Sequence, residues 1–253
     1  MNFPICATGN PIPFINADRY NGRVESISGG AMIRALIFDF DGMILDTETP
    51  EFLAWQELYR EYGQNLTADT WGQIVGGVAA SSFEPAGHLQ QLVDRPLDPD
   101  TIRGGMRTRV HELAAAQPVL PGVLDYLNSA RRLGLRLAVA SSSSHKWVDA
   151  HLTTRGLFPF FERILCSEDV PRVKPYPDLY LKALEVLDLP AEQAVAFEDS
   201  PNGVRAARAA GLCVVAVPNP MTAQLSIEGE TLRLGSLADL PLQELLRKID
   251  PYA

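Results

Sequence analysis

Ala35-Leu36-Ile37-Phe38-Asp39-Phe40-Asp41-Gly42 decides the reading of this chain: four apolar residues suited to a strand buried on both faces run straight into two carboxylates and a glycine. Asp39 and Asp41 are two residues apart, so on an extended chain they share a face. Two carboxylates held that close repel each other strongly unless a cation lies between them or one keeps a proton. Either remedy is chemistry. Gly42 follows at once and lets the backbone turn sharply or approach a ligand closely.

Working outward, residues 135–140, 163–166, 194–197 and 213–217 are further apolar runs of the buried-strand kind. Helical stretches at 124–133, 146–155 and 178–187 lie between them, the first two closed by Gly134 and Gly156. Ser200-Pro201 opens a short helix, serine as N-cap and proline at the first position, and Gly211 closes it. Strand and helix in alternation predict a doubly wound, Rossmann-like α/β core with a parallel sheet. Between Asp46 and Pro118 the rhythm breaks, with helices expected at 51–62, 68–75, around 83–93 and at 101–116 and no strand. Residues 48–117 are therefore expected to form a helical cap inserted after the first strand, the core comprising 32–47 and 118–253. Residues 1–31, interrupted by prolines and glycines before any period establishes itself, are expected to be a poorly ordered tail, with Met32 as a candidate natural start.

Composition narrows the classes. A chain of 253 residues with 46% hydrophobic residues can bury a large core, and its net charge of −9 disfavours nucleic acid and anionic membranes as partners. The same field repels phosphorylated compounds at long range, so any phosphate has to be held locally. No apolar stretch approaches a membrane span and no signal peptide is legible, which predicts a cytoplasmic protein; a monomer is expected. Cys6, Cys166 and Cys213 are odd in number and too far apart for a disulfide framework, and Cys166 and Cys213 read as buried thiols.

In an open parallel sheet ligands bind beyond the carboxyl ends of the strands. Those ends are unusually polar here: Asp39 and Asp41 after the first, Ser141-Ser142-Ser143-Ser144 after the second, Lys174 after the third, and Glu198-Asp199-Ser200 after the fourth. Four carboxylates, a run of hydroxyls and one ammonium at a single rim suit Mg²⁺, which takes hard oxygen ligands. Nitrogen and sulfur ligand patterns for zinc are absent.

In this order the residues resemble the haloacid dehalogenase superfamily of aspartate-nucleophile phosphohydrolases, over essentially all of 33–220. The four motifs of that family fall on Asp39-Phe40-Asp41-Gly42, Ser141, Lys174 and Glu198-Asp199. Phe197-Glu198-Asp199-Ser200-Pro201-Asn202-Gly203 is similar to the subgroup of β-phosphoglucomutase and small sugar-phosphate phosphatases. The resemblance implies that Asp39 attacks phosphorus and forms an aspartyl phosphate, and that Asp41 protonates the leaving oxygen. It further implies that Ser141 and Lys174 hold phosphate oxygens, while Asp39, Asp41 through its backbone carbonyl, Asp199 and the nearby Glu198 hold Mg²⁺. Gly42, Ser142, Glu51, Gly77 and Asn202 are expected on the substrate side, with the loop at 76–82 and Glu51 setting selectivity for a small phosphorylated metabolite.

A phosphatase is the leading reading and a β-phosphoglucomutase-like phosphomutase the nearest rival. Glu51 stands where the mutase lid carries a histidine, and Gly76-Gly77-Val78-Ala79-Ala80 offers no arginine for a second phosphate, which favours hydrolysis. A dehalogenase would need neither metal nor the acid that Asp41 supplies. A phosphoacceptor signalling module uses similar groups on a similar sheet, but has no lid. Of the histidines, His145 is expected near the rim, with His88, His111 and His151 in surface or packing roles. Trp55, Trp71 and Trp147 are expected to pack core and lid.

Overall fold

The structure is a computed structural model and describes residues 32–71, 84–223 and 225–249. The tail at 1–31, the loop at 76–82 and its Gly77 lie outside the described residues. Six strands, β1 (Ala35–Phe38), β2 (Arg136–Ala140), β3 (Arg163–Leu165), β4 (Ala194–Glu198), β5 (Cys213–Ala216) and β6 (Leu232–Arg233), form one sheet in the order β3-β2-β1-β4-β5-β6. Every pairing is parallel. The chain winds outward from β1 to β3, then returns to the other side of β1 to lay down β4, so the order reverses between β1 and β4. That is where an open parallel sheet opens a crevice at its carboxyl edge.

The strands alternate two kinds of side chain. One face carries Leu36, Phe38, Leu137, Val139, Val195, Phe197 and Val215, with Phe38 stacked on Phe197 at 4.6 Å, and is covered by α5 (Val123–Arg132), α6 (His145–Thr154) and α9 (Leu242–Ile249). The other carries mostly small residues, Ala35, Ala138, Ala140, Ala194, Ala196 and Ala216, and seats α7 (Asp178–Val186) and α8 (Pro201–Ala209). Period-2 alternation between bulky and small residues, hidden in an all-apolar strand, thus assigns the faces. Ser200 caps α8 as its position predicts, its side chain accepting from the N–H of Gly203 at 3.1 Å.

Between β1 and β2 run α1 (Glu48–Glu61), α2 (Ala68–Trp71), α3 (Pro85–Leu92) and α4 (Pro99–Ala115), packed around an apolar cluster of their own that includes Phe52, Trp55, Tyr59, Trp71, Leu89, Ile102 and Met106. The segments that lead into and out of this helical layer pair with each other, Leu45 bridging Val119 antiparallel and the Leu120 N–H donating to the Ile44 carbonyl at 3.0 Å. Among the described residues no helix is long and apolar enough to cross a membrane. Cys166 and Cys213 are free thiols, and burial pushes the Cys166 thiol up to about 12.

Candidate active site

A cleft of about 560 Å³ opens at the switch point between the sheet and the helical layer. Its floor is a buried charge cluster. Asp39, directly after β1, extends the ladder by donating its N–H to the Phe197 carbonyl at 2.9 Å, which fixes its side chain at the strand end. One carboxylate oxygen, Oδ1, accepts from the Phe40 N–H at 2.7 Å and meets Lys174 Nζ at 2.7 Å. The other accepts no hydrogen bond among the described residues. Lys174 also reaches Glu198 Oε1 at 2.6 Å, and the same oxygen accepts from the Tyr180 hydroxyl. Burial alone would lower the Lys174 pKa, but Asp39 and Glu198 outweigh it and hold the ammonium above the ordinary lysine value.

Asp199 completes the floor. Its Oδ2 accepts from Asn219 Nδ2 at 2.7 Å, and the same amide donates to Glu48 Oε2 at 3.0 Å, one N–H for each carboxylate. Burial first, and then neighbouring carboxylates, raise Asp39 and Asp199 well above the usual range; Glu48, pushed up chiefly by burial, lies at about 7. Asp39, Glu198 and Asp199 each offer an oxygen, and these atoms lie within 4.8 Å of one another. Glu198 is fully buried, and its Oε2, pressed against Gly203, has no hydrogen-bond partner among the described residues. One lysine faces three buried carboxylates, and the donors are hard oxygens: the site fits a divalent cation.

Asp41 stands apart from that cluster, ringed by donors. Thr47 Oγ1 at 2.9 Å and Trp147 Nε1 at 2.8 Å bond Oδ1, while Ser143 Oγ at 2.6 Å and Ser141 Oγ at 3.3 Å bond Oδ2. From the helical layer Glu48, Glu51, Val110 and His111 close the cleft. Glu51 is open to the cleft yet far enough inside it that desolvation, and then the charge of Asp41, raise its carboxyl.

Asp39, Asp41, Lys174, Asp199, Glu51, Ser142 and Asn202 all line this cleft. Three expected contacts lie elsewhere. Ser141 is fully buried with its hydroxyl on Asp41, so Ser142 and Ser143 face the cleft instead. Gly42 sits behind the site: at φ +76° a Cβ there would meet Asp199 Oδ2 at 2.3 Å, and its open side lines a separate small cavity. His145 turns away to Asp149 and Asp169, and the histidine at the cleft is His111, edge-on to Trp147 at 4.6 Å. Trp147 is more than packing, since its N–H holds Asp41. The stretch 76–80, where no arginine for a second phosphate is expected, lies outside the described residues; Arg103 and Arg107 of α4 line a cavity beside the cleft.

Asn219, Glu48 and Thr47 escaped the sequence reading, while Ser143 figures there only in the serine run and Trp147 only as packing, not as donors to Asp41. Asn219 had a signal, because it follows β5 between Pro218 and Pro220 and so obeys the same strand-end rule.

Residues 36–217 match the family described as Haloacid dehalogenase-like hydrolase. YhcW of Bacillus subtilis is 43% identical over 215 residues, 85% of this chain and 97% of that protein. A Thermotoga maritima protein named Phosphorylated carbohydrates phosphatase is 30% identical over 185 residues, 71% of this chain and 82% of its own. The crystal structure of CbbY from Rhodobacter sphaeroides in complex with phosphate superposes with a TM-score of 0.66 at 32% identity, covering 83% of this chain and 96% of CbbY.

Proposed function

We propose that this chain, which belongs to the haloacid dehalogenase-like hydrolases and is a phosphoric monoester hydrolase, cleaves a small phosphorylated metabolite of sugar-phosphate type through an aspartyl phosphate on Asp39. The observation that carries the reading is the division of labour at Asp39: Phe40 and Lys174 hold Oδ1, leaving Oδ2 as the oxygen able to attack phosphorus. The attack forms the Oδ2–P bond as the bond from phosphorus to the leaving oxygen breaks. Asp41 delivers a proton to that oxygen and later takes one from the water that hydrolyses the aspartyl phosphate, a role worth about 10²–10⁴ in rate. The indole N–H of Trp147 can only donate, so Oδ1 of Asp41 stays an acceptor. Serine hydroxyls can also accept, which makes Oδ2 the oxygen that carries the proton.

Asp39, Asp199 and the backbone carbonyl of Asp41, with Glu198 alongside, would hold Mg²⁺, whose charge offsets the repulsion between the carboxylate nucleophile and an incoming phosphate. Lys174 steadies the phosphate oxygens beside Asp39. The helical layer acts as a cap that excludes water and selects the substrate. Glu51 at the cleft favours hydrolysis over transfer to a second sugar hydroxyl. The test is acid-quenched enzyme after mixing with p-nitrophenyl phosphate: phosphate should be found on Asp39, and Asp39→Asn should lose at least about 10⁴ in turnover with its melting curve still cooperative. Turnover retained in Asp39→Asn removes the aspartyl phosphate from the mechanism.

A further inference from the structure

Trp147, His151 and Arg155 stand four residues apart on α6 and its C-cap, so they form one stripe along the helix. At one end Trp147 donates its indole N–H to Asp41 Oδ1 at 2.8 Å. At the other Arg155 donates from Nη2 to the carbonyls of Ala114 and Gln117 at 2.9 Å and of Ala115 at 3.2 Å, where α4 ends and the chain leaves the helical layer. Last-turn carbonyls have few partners of their own, and a guanidinium offers several donors in one plane.

Between the two ends lies His151, a buried ring edge-on to the Trp147 indole at 4.2 Å. It also approaches the ring of Phe40, the residue between Asp39 and Asp41, at 6.1 Å. Arg155 Nη1 meets His151 Nδ1 at 3.0 Å; a guanidinium can only donate, so Nδ1 accepts and the ring proton sits on Nε2. Burial, and then the charge of Arg155, lower the His151 pKa, which keeps the imidazole neutral and that bond intact. Neither His151 nor Arg155 lines the cleft. From the helical layer His111 lays its ring edge-on to the same indole at 4.6 Å.

The four donors to Asp41 are not equivalent. Thr47, Ser141 and Ser143 present hydroxyls, which rotate and can donate or accept, so they adapt to either rotation of the carboxyl group. The indole is rigid and donates only. We propose that Trp147 is the positioning residue of the proton transfer and that His151 and Arg155 act through it, the stripe fixing the Asp41 carboxyl group with Oδ1 as acceptor and Oδ2 as the oxygen that presents the proton. The proton passes from Oδ2 to the leaving oxygen, and the bond from the indole to Oδ1 becomes charge-assisted as the carboxylate forms. The inference rests on the phosphatase reading, in which Asp41 is the acid, and adds to it side chains that touch no substrate.

The test is epistasis in turnover. Trp147→Phe keeps a ring against His151 and removes the donor. Its kcat for an alkyl ester, sorbitol phosphate, should fall about tenfold or more, and that for p-nitrophenyl phosphate by no more than about twofold, because the aryl leaving group needs little protonation. KM for both should stay within about threefold. In the Asp41→Asn background the same substitution should cost less than about twofold on either ester, since the group it positions no longer delivers a proton. His151→Leu should lose part of the alkyl activity by itself and nothing further on top of Trp147→Phe; if His151→Leu does not fold, Trp147→Phe and Asp41→Asn carry the test. A loss in Trp147→Phe that is equal for the two esters, or that persists in Asp41→Asn, overturns the proposal, because it is then a loss of packing or of substrate contact. The link is also read without turnover: of the three tryptophan indole N–H resonances, the one missing from Trp147→Phe should shift in Asp41→Asn and in His151→Leu while those of Trp55 and Trp71 stay. A Trp147 resonance indifferent to both substitutions breaks the stripe. Phosphate monoesters left intact by the unmodified chain, with those shifts as expected, sink the phosphatase reading and leave the stripe standing.

Discussion

The two walls of the cleft are built by different rules. On the core wall ionisable groups are buried and tied: Lys174 bridges Asp39 and Glu198, Asn219 holds Asp199, and four donors surround Asp41. On the helical wall Glu51 and the neighbouring Arg107 carry charge with no partner among the described residues. Preorganised groups suit chemistry, because nothing has to rearrange when charge develops. Groups left open suit recognition, because the ligand supplies the partner. On the function proposed above, the difference gives reaction to the strand ends and choice of substrate to α1 and α4.

The core wall breaks hardest at Lys174. Lys174→Met leaves Asp39 and Glu198 buried without their cation, so unfolding free energy should drop by about 3–5 kcal/mol. Turnover should fall by about 10²–10³. Added Mg²⁺ should recover part of the melting temperature, since bound ligand stabilises the folded state. A melting temperature equal to that of the unmodified chain would show that the core wall does not depend on this ion pair.

Asp41→Asn comes next. The amide keeps the shape of the ring of donors but cannot deliver a proton, so turnover of alkyl phosphates should fall by about 10²–10⁴. An aryl phosphate, whose leaving group needs less help, should lose much less. Equal losses for both would argue that Asp41 organises the wall without moving protons.

How far these walls were legible in the sequence follows from their construction. Strands buried on both faces announce themselves as apolar runs, and the strand-end rule then leads to Asp39, Asp41, Lys174, Glu198 and Asp199 without any contact map. The two residues of β6 carry no such signal, whereas Leu242, Leu245, Leu246 and Ile249 do have the spacing of a helix face and mark α9. Trp147 and Asn219 act across separations of 106 and 171 residues, to Asp41 and Glu48, and no local pattern encodes such a bond. On the helical wall Arg103, Arg107, Val110 and His111 share a face of α4 because i and i+4 on a helix are neighbours, but no local pattern says that this face meets Glu51 and Trp147 at a cavity.

Glu51→Gln sharpens the other side of the comparison. Removing its charge should change the ranking of sugar phosphates in kcat/KM by about tenfold, the scale of one hydrogen bond to a charged group, because hydroxyl donors lose a charged acceptor. If the ranking stays fixed while turnover of every substrate drops together, Glu51 belongs with the chemistry and the two walls are not separate in function.

The smallest effect is expected at His145, which starts α6 on the core side yet points away from the cleft. Burial alone would lower its pKa, but Asp169 at 2.8 Å and Asp149 at 3.2 Å outweigh it, so the folded chain holds the proton more tightly than the unfolded one. A pKa raised by folding contributes stability that is complete below the unfolded value of about 6.5 and fades as pH rises through the folded value. His145→Gln should therefore melt slightly below the unmodified chain at about pH 5.5 and match it at about pH 9, a difference kept small because the pair is partly exposed. Turnover should not change, since the ring touches no group in the cleft. A melting difference that grows with pH would reverse the sign of the argument, and a loss of turnover would extend the catalytic wall past Ser144 into α6.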